Sequence, residues 1–258
     1  MDAKDKLIVA LDVETANHAL QLFDSLRESV GMFKIGMQLF TAAGPDVVRR
    51  IVSRGGRVFL DLKYHDIPNT VAMAAIEATR LGVSLFNVHT AGGHEMMKRT
   101  AEAVAEVAHR ENLVQPKILG VTILTSIDRQ MLQQIGFDEE PQTVVNRLAA
   151  LAQTAGLDGV VASAQEIELI RASVSQSDFL IVTPGIRDAS SDSHDQRRTT
   201  TVSDAIRAGA DYVVVGRPIL SANNPANAAQ EFVAQISQAL ALGATTDLPE
   251  QNRAQSVQ

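Results

Sequence analysis

The chain has 258 residues, with 45% apolar and 21% charged side chains and a net charge of −7. That length suits one closed α/β barrel, and the apolar fraction suffices to fill its core. The acidic balance argues against non-specific binding to nucleic acid, which needs a basic surface, so an anionic ligand would have to be held by a few placed cations and backbone N–H groups. With no cysteine, disulfides and thiolate metal sites are excluded. The charged start, Met1 to Lys6, runs straight into an apolar strand and is not expected to act as a signal peptide. No run of about 18 apolar residues occurs, so no membrane span is expected. A cytoplasmic location is the expectation.

Short apolar runs recur along the chain: Leu7–Asp12, Met32–Gly36, Arg57–Lys63, Leu85–His89, Ile118–Thr122, Gly159–Ala162, Phe179–Thr183 and Tyr212–Gly216. Amphipathic stretches separate them, at Asn17–Ser29, Pro45–Arg54, Val71–Leu81, Glu95–His109, Pro141–Ala155, Ala164–Val174 and Thr201–Ala208. Alternating β and α elements imply a parallel sheet, and eight repeats favour closure into a single-domain (β/α)₈ TIM barrel; a doubly wound open sheet is the alternative. Glycine follows the helix ends at Arg54-Gly55, Leu81-Gly82, Ala155-Gly156 and Ala208-Gly209, as a left-handed cap requires. The polar stretch Asp188–Thr200 reads as a long loop, a kind that often serves as a lid or binding loop. The barrel is expected over residues 1–243, with 244–258 a polar, disordered tail.

Active sites of such barrels lie at the C-terminal ends of the strands, and strand side chains alternate between faces. On the first strand Leu7, Val9 and Leu11 suit the helix-facing layer, leaving Ile8, Ala10 and Asp12 to face inward. On the second, Phe33 and Ile35 face the helices and Lys34 faces inward. On the third, Val58, Leu60 and Leu62 face the helices, while Phe59, Asp61 and Lys63 face inward. Three neighbouring strands thus send charge to one mouth. A surface salt bridge is the bland reading of such a pair, but ionised groups inside apolar runs are rarely tolerated without partners or purpose. The loops after strands seven and eight usually bind phosphate in this architecture. Here they carry Gly185 and Arg187, then Gly216 and Arg217, glycines for close backbone approach and arginines for a bidentate clamp.

The segment Phe59-Leu-Asp-Leu-Lys-Tyr-His-Asp-Ile-Pro-Asn-Thr70, with its Asp-x-Lys-x-x-Asp core, resembles the signature of the orotidine 5′-phosphate decarboxylase family. Ala10-Leu-Asp12, Phe33-Lys-Ile-Gly36, Leu124-Thr-Ser126, Thr183-Pro-Gly-Ile-Arg187, Asp195-Gln-Arg-Arg198 and Val215-Gly-Arg-Pro218 follow the family's order, so the resemblance covers residues 6–240 or thereabouts. It implies conversion of orotidine 5′-phosphate (OMP) to UMP and CO₂ without cofactor or metal, so electrostatic preorganisation would have to do the work of an electron sink. By resemblance Lys63 protonates C6 and Asp61 holds Lys63 charged, close to the substrate carboxylate. Lys34 bonds a ribose hydroxyl and Asp61, and Asp12 is a ribose ligand. Asp66 crosses into a neighbour's site, with Thr70 on the ribose, in a homodimer with shared active sites. Thr125 and Ser126 read the pyrimidine edge. Pro184 and Arg187 belong to the substrate-binding Pro-Gly-Ile-Arg run, and Gln196 closes over phosphate and base.

Other readings are weaker. His65, His89 and His94 could suggest a metal site, but His65 lacks a second histidine at ligand spacing. Gly92-Gly93 reads as a tight turn rather than an anion loop, the methionines as core filler, and Asp138-Glu-Glu140 as a solvated turn. Among enzymes, the alternatives are the related keto-gulonate-phosphate decarboxylases and pentose-phosphate epimerases, which typically use a divalent metal; Leu124-Thr-Ser126 and Pro184-Gly-Ile-Arg187 argue against them. A nucleotide-binding barrel without turnover is disfavoured by the intact Lys34, Asp61, Lys63, Asp66 set.

Overall fold

The computed structural model describes residues 2–186 and 200–246. Eight parallel strands, β1 (Leu7–Ala10), β2 (Met32–Gly36), β3 (Val58–Tyr64), β4 (Leu85–His89), β5 (Lys117–Val121), β6 (Gly159–Val161), β7 (Leu180–Thr183) and β8 (Tyr212–Val215), form a closed barrel in sequence order. Pairing of β1 with β8, Ile8 opposite Val214, completes the ring. The open-sheet alternative is thereby excluded.

Helices follow the strands. α1 (Ala16–Leu26) follows β1, α2 (Met37–Ala43) and α3 (Asp46–Val52) follow β2, and α4 (Pro68–Arg80) and α5 (Gly93–Glu111) follow β3 and β4. Next come α6 (Arg129–Gln134), α7 (Pro141–Thr154), α8 (Ile167–Ser173), α9 (Val202–Arg207), α10 (Arg217–Leu220) and α11 (Pro225–Thr246). Periodicity did not reveal α2, α6 or α10, each too short to show a full amphipathic repeat, and the amphipathic stretches read from the sequence end at Ala208 and so also omit α11. The expected glycine caps are present: Gly55, Gly82, Gly156 and Gly209 all have positive φ.

Two concentric cores follow from strand alternation. Leu7, Val9, Leu11, Phe33, Ile35, Val58 and Leu60 pack outward with helix residues such as Phe23, Val48 and Ala75. Ile8, Ala10, Met32, Phe59, Leu85, Leu119, Val182, Tyr212 and Val214 fill the barrel itself. Full burial of each large side chain contributes about 1.5–3 kcal/mol. This plug closes the barrel floor and leaves only its upper end for chemistry. A satellite core of Leu132 from α6 with Val144 and Leu148 from α7 takes in Ile123, Ile127 and Phe137. It anchors the loop after β5, which carries Thr125 and Ser126.

Candidate active site

Strand register sets the site. Lys34 stands level with Ala10 and Phe59, the top of the apolar plug, and Asp61 is one layer higher, opposite Gly36. The sequence therefore switches from apolar to charged where the plug ends. Lys34 Nζ lies 3.2 Å from Asp12 Oδ1 and 3.2 Å from Asp61 Oδ2, and Lys63 Nζ lies 2.6 Å from Asp61 Oδ1. Asp12, Lys34, Asp61 and Lys63 form one alternating chain of charges across three strands.

Burial alone would push the Asp61 carboxyl upward, but Lys34 and Lys63, with hydrogen bonds from Lys63 and Asn87, outweigh it and hold Asp61 below its ordinary range. Burial likewise pushes Lys34 down, and Asp61 and then Asp12 overcome it, so the ammonium is held above its usual value. Both groups stay ionised across neutral pH, each holding the other charged where the two side chains are largely withdrawn from solvent.

Lys63 reaches the mouth by an irregular route. Asp61, Leu62 and Lys63 lie between the paired positions Leu60 and Tyr64 of β3, whereas Asn87 alone lies between their partners Phe86 and Val88 of β4. This is a bulge, and Lys63 sits in it with φ of 53°. A left-handed conformation costs a residue with a Cβ on the order of 1–3 kcal/mol and clusters at functional sites. Simple period-two alternation, the basis for expecting Lys63 inward, is thus corrected here. It holds to Asp61; beyond that the bulge, not the pleat, presents the lysine.

The charged wall borders a cavity of about 380 Å³, within the range of small-molecule sites. Asp12, Lys34, Asp61 and Lys63 line it, together with Thr125 and Ser126 from the β5 loop, Pro184 and Gly185 after β7, and Gly216 and Arg217 after β8. Gly185 has φ of 84°, a conformation that favours glycine. Arg187 and Gln196 lie outside the described residues. Asp66 and Thr70 are exposed and are not among the residues lining this chain's own cavity; Asp66 caps locally, accepting from the Ile67 N–H at 2.6 Å.

Sequence reasoning missed two residues. Asn87 is 1% exposed on the inner face of β4, accepts from the Lys63 N–H at 2.8 Å and donates to Asp61 Oδ1 at 2.7 Å. A lone polar residue inside the run Leu85–His89 was the available signal. Gly36 is the other: a Cβ there would meet Lys34 Nζ at 3.1 Å. The rings of His65 and His89 lie 5.4 Å apart beside the site, and burial, then His65 and Lys63, push His89 down. Among the described residues no group of three or more His, Asp or Glu is placed to hold a metal ion. Gly92 ends a short 3₁₀ segment, Thr90–Gly92, and Gly93, with φ of 83°, opens α5, so the expected tight turn is a junction between two helical segments.

A closed barrel with a charged wall and a small-molecule-sized cavity at its mouth is the architecture of a (β/α)₈-barrel enzyme. The chain belongs to the orotidine 5′-phosphate decarboxylase / HUMPS family, whose model matches residues 5–232, and is a carboxy-lyase. It is 53% identical over 243 residues to the orotidine 5′-phosphate decarboxylase of Syntrophotalea carbinolica, covering 94% of this chain and 99% of that protein. It is 54% identical over 235 residues to that of Geotalea daltonii, covering 91% and 97%. The crystal structure of orotidine 5′-phosphate decarboxylase from Lactobacillus acidophilus superposes with a TM-score of 0.79 at 34% identity, over 89% of this chain and 98% of that one. Among the described residues no helix is long and apolar enough to cross a membrane.

Proposed function

We propose that this chain decarboxylates OMP to UMP and CO₂, the last step of de novo pyrimidine nucleotide synthesis, with Lys63 delivering the proton to C6. The observation that carries the reading is the unbroken Asp12–Lys34–Asp61–Lys63 chain along one wall of the cavity, facing the phosphate-type loops, in a chain so close to named decarboxylases. The bond from C6 to the carboxylate breaks, CO₂ departs, and the electron pair stays on C6 in an orbital that the ring cannot delocalise. The Lys63 ammonium, a compact charge with rotatable donors, stabilises that pair and then transfers a proton to it. Water returns the proton to Lys63. Asp61 keeps the ammonium charged and stands beside the departing carboxylate; like charges at about 4 Å and an effective dielectric of about 20 repel by roughly 4 kcal/mol, which loss of CO₂ relieves.

Thr125 and Ser126 read the base, Asp12 and Lys34 hold the ribose, and Pro184, Arg187, Gln196, Gly216 and Arg217 hold the phosphate side. Binding energy from the phosphate aligns the ring over Lys63. Asp66 and Thr70 complete the site of a second copy in a homodimer. Their exposure away from their own cavity, beside Ile67 at 66% and Met73 at 48% exposed, supports that role. The protein acts in the cytoplasm, as one catalytic domain over residues 1–243 followed by a polar tail.

The test follows OMP absorbance with purified protein in EDTA, with Lys63→Ala in parallel. Loss of OMP to UMP by the wild type and almost none by the variant is the expected result. Turnover only of a sugar phosphate, and only after Mg²⁺ is restored, would assign the chain to metal-dependent relatives. Mixing Asp66→Ala with Lys63→Ala chains tests the dimer: heterodimers should regain one intact site, and inactive heterodimers would sink the shared-site reading.

A further inference from the structure

The mechanism above leaves the bulge in β3 and the amide buried beneath it without a role. The bulge removes the Lys63 N–H from the strand ladder, and a buried backbone donor must find a partner. The partner is a side chain: Asn87 Oδ1, at 2.8 Å. The other end of the same amide donates to Asp61 Oδ1 at 2.7 Å, the oxygen that also receives Lys63 Nζ at 2.6 Å. With an N–H at one end and a carboxylate at the other, only one orientation of the amide satisfies both. Asn87 is 1% exposed and is not among the residues lining the cavity, so its role is argued from its two internal bonds.

We propose that Asn87 is a positioning residue for the proton donor, a strut that holds the Lys63 backbone in its left-handed bulge and the Asp61 carboxylate in register, so that the ammonium is aimed from both ends. The proposal rests on the reading of Lys63 as the proton donor. An amide presents a donor and an acceptor side by side at every pH without carrying charge; leucine offers neither, and aspartate offers a donor only when protonated. Of the charged groups it bonds Asp61 and Lys63 on β3, and Lys34 reaches it only through Asp61; His89, two residues along its own strand, lies against His65, and its neighbour on β5 is Leu119.

Two variants test this, with OMP turnover measured from pH 6 to 8. Asn87→Leu keeps the branched heavy-atom shape and removes both bonds; kcat should fall about 10²-fold, as for a catalytic group misplaced by about 1 Å, while KM stays within about threefold. Asn87→Asp keeps the shape and the acceptor but sets a second carboxylate against Asp61. Like charges raise the introduced carboxyl's pKa, and once protonated it regains one donor and one acceptor. Its kcat relative to wild type should therefore rise about tenfold as pH falls from about 8 to about 6. A role in packing alone would leave that ratio flat.

A kcat for Asn87→Leu within about threefold of wild type, or a flat ratio for Asn87→Asp, overturns the proposal. Circular dichroism monitors folding. If the leucine variant does not fold, the pH response of Asn87→Asp decides; failure of both to fold would assign Asn87 to the fold and overturn the positioning role. Lys63→Ala runs alongside: retained turnover there would refute the reading of the proton donor itself, an outcome distinct from any result at Asn87.

Discussion

The two ends of the barrel both carry buried or half-buried charge, and they use it differently. At the N-terminal end, Arg171 donates to the carbonyls of Phe179 and Gly209 and to Asp211, and Asp211 accepts from the Ile181 N–H while its carbonyl takes Lys6 Nζ. Asp158 similarly accepts from the Ile118 N–H and from Lys117. Each carboxylate there ties one strand to its neighbour. At the C-terminal end, Asp12, Lys34, Asp61 and Lys63 bond one another and the Asn87 amide, and among the described residues their side chains take no backbone group. Charge that satisfies backbone is structure; charge that satisfies only other side chains, beside a cavity, is available to a ligand.

Substitution at the two ends should separate activity from stability. The largest effect is expected at the mouth: Lys63→Ala should lower kcat by about 10³-fold or more, with a melting temperature close to wild type, because Asp61 keeps Lys34. At the floor, Asp211→Ala should leave kcat within about twofold and lower stability by about 1–3 kcal/mol in a urea titration, since the Ile181 N–H and the Arg171 guanidinium lose their carboxylate partner. Loss of activity without loss of stability at Asp211 would break the distinction. Gly36→Ala forces the Lys34 ammonium to yield by a few tenths of an ångström, and kcat/KM should fall about 3–10-fold at unchanged stability. The smallest effect is expected at the exposed Lys117: its replacement by Ala should cost about 0–1 kcal/mol, less in high salt.

The pH response sharpens the same contrast. Asp61 is held below its ordinary value of 3.8, so its contribution to stability is present above that pH and is lost as pH falls through the folded value. Lys34 is held above 10.5, so its contribution is complete below that pH and is lost as pH rises through the folded value. The stability difference between wild type and Asp61→Asn should be flat from about pH 5 to about pH 9 and shrink on the acid side. A sloping difference within that window would mean that the array is not fully ionised.

Much of this was legible in the chain before folding. The alternation of Leu7, Val9 and Leu11 with Ile8 and Ala10 assigned the two cores correctly, and glycines at 55, 82, 156 and 209 marked where helices stop. The charges Asp12, Lys34 and Asp61 stood out because they interrupt apolar runs, where ionised groups are costly. Motif and loop position also singled out Thr125, Ser126, Pro184, Gly216 and Arg217, which line the cavity.

What local sequence determined, then, was the repeating βα pattern, the inward faces of the strands and the charged character of the mouth, because periodicity of two and of 3.6 is a property of neighbouring residues. Tertiary structure decided the rest. Closure depends on β1 meeting β8. The bulge depends on three residues of β3 facing one of β4, so pleat alternation alone could not place Lys63. The partners of Asn87 lie 24 and 26 residues away in sequence, and no periodicity encodes which donor a buried amide will find. Asp66 and Thr70 follow β3 yet are exposed and not among the residues lining their own chain's cavity, because the chain leaves the barrel to begin α4 at Pro68. These are decisions of strand register and chain direction, made only when elements distant in sequence pack together.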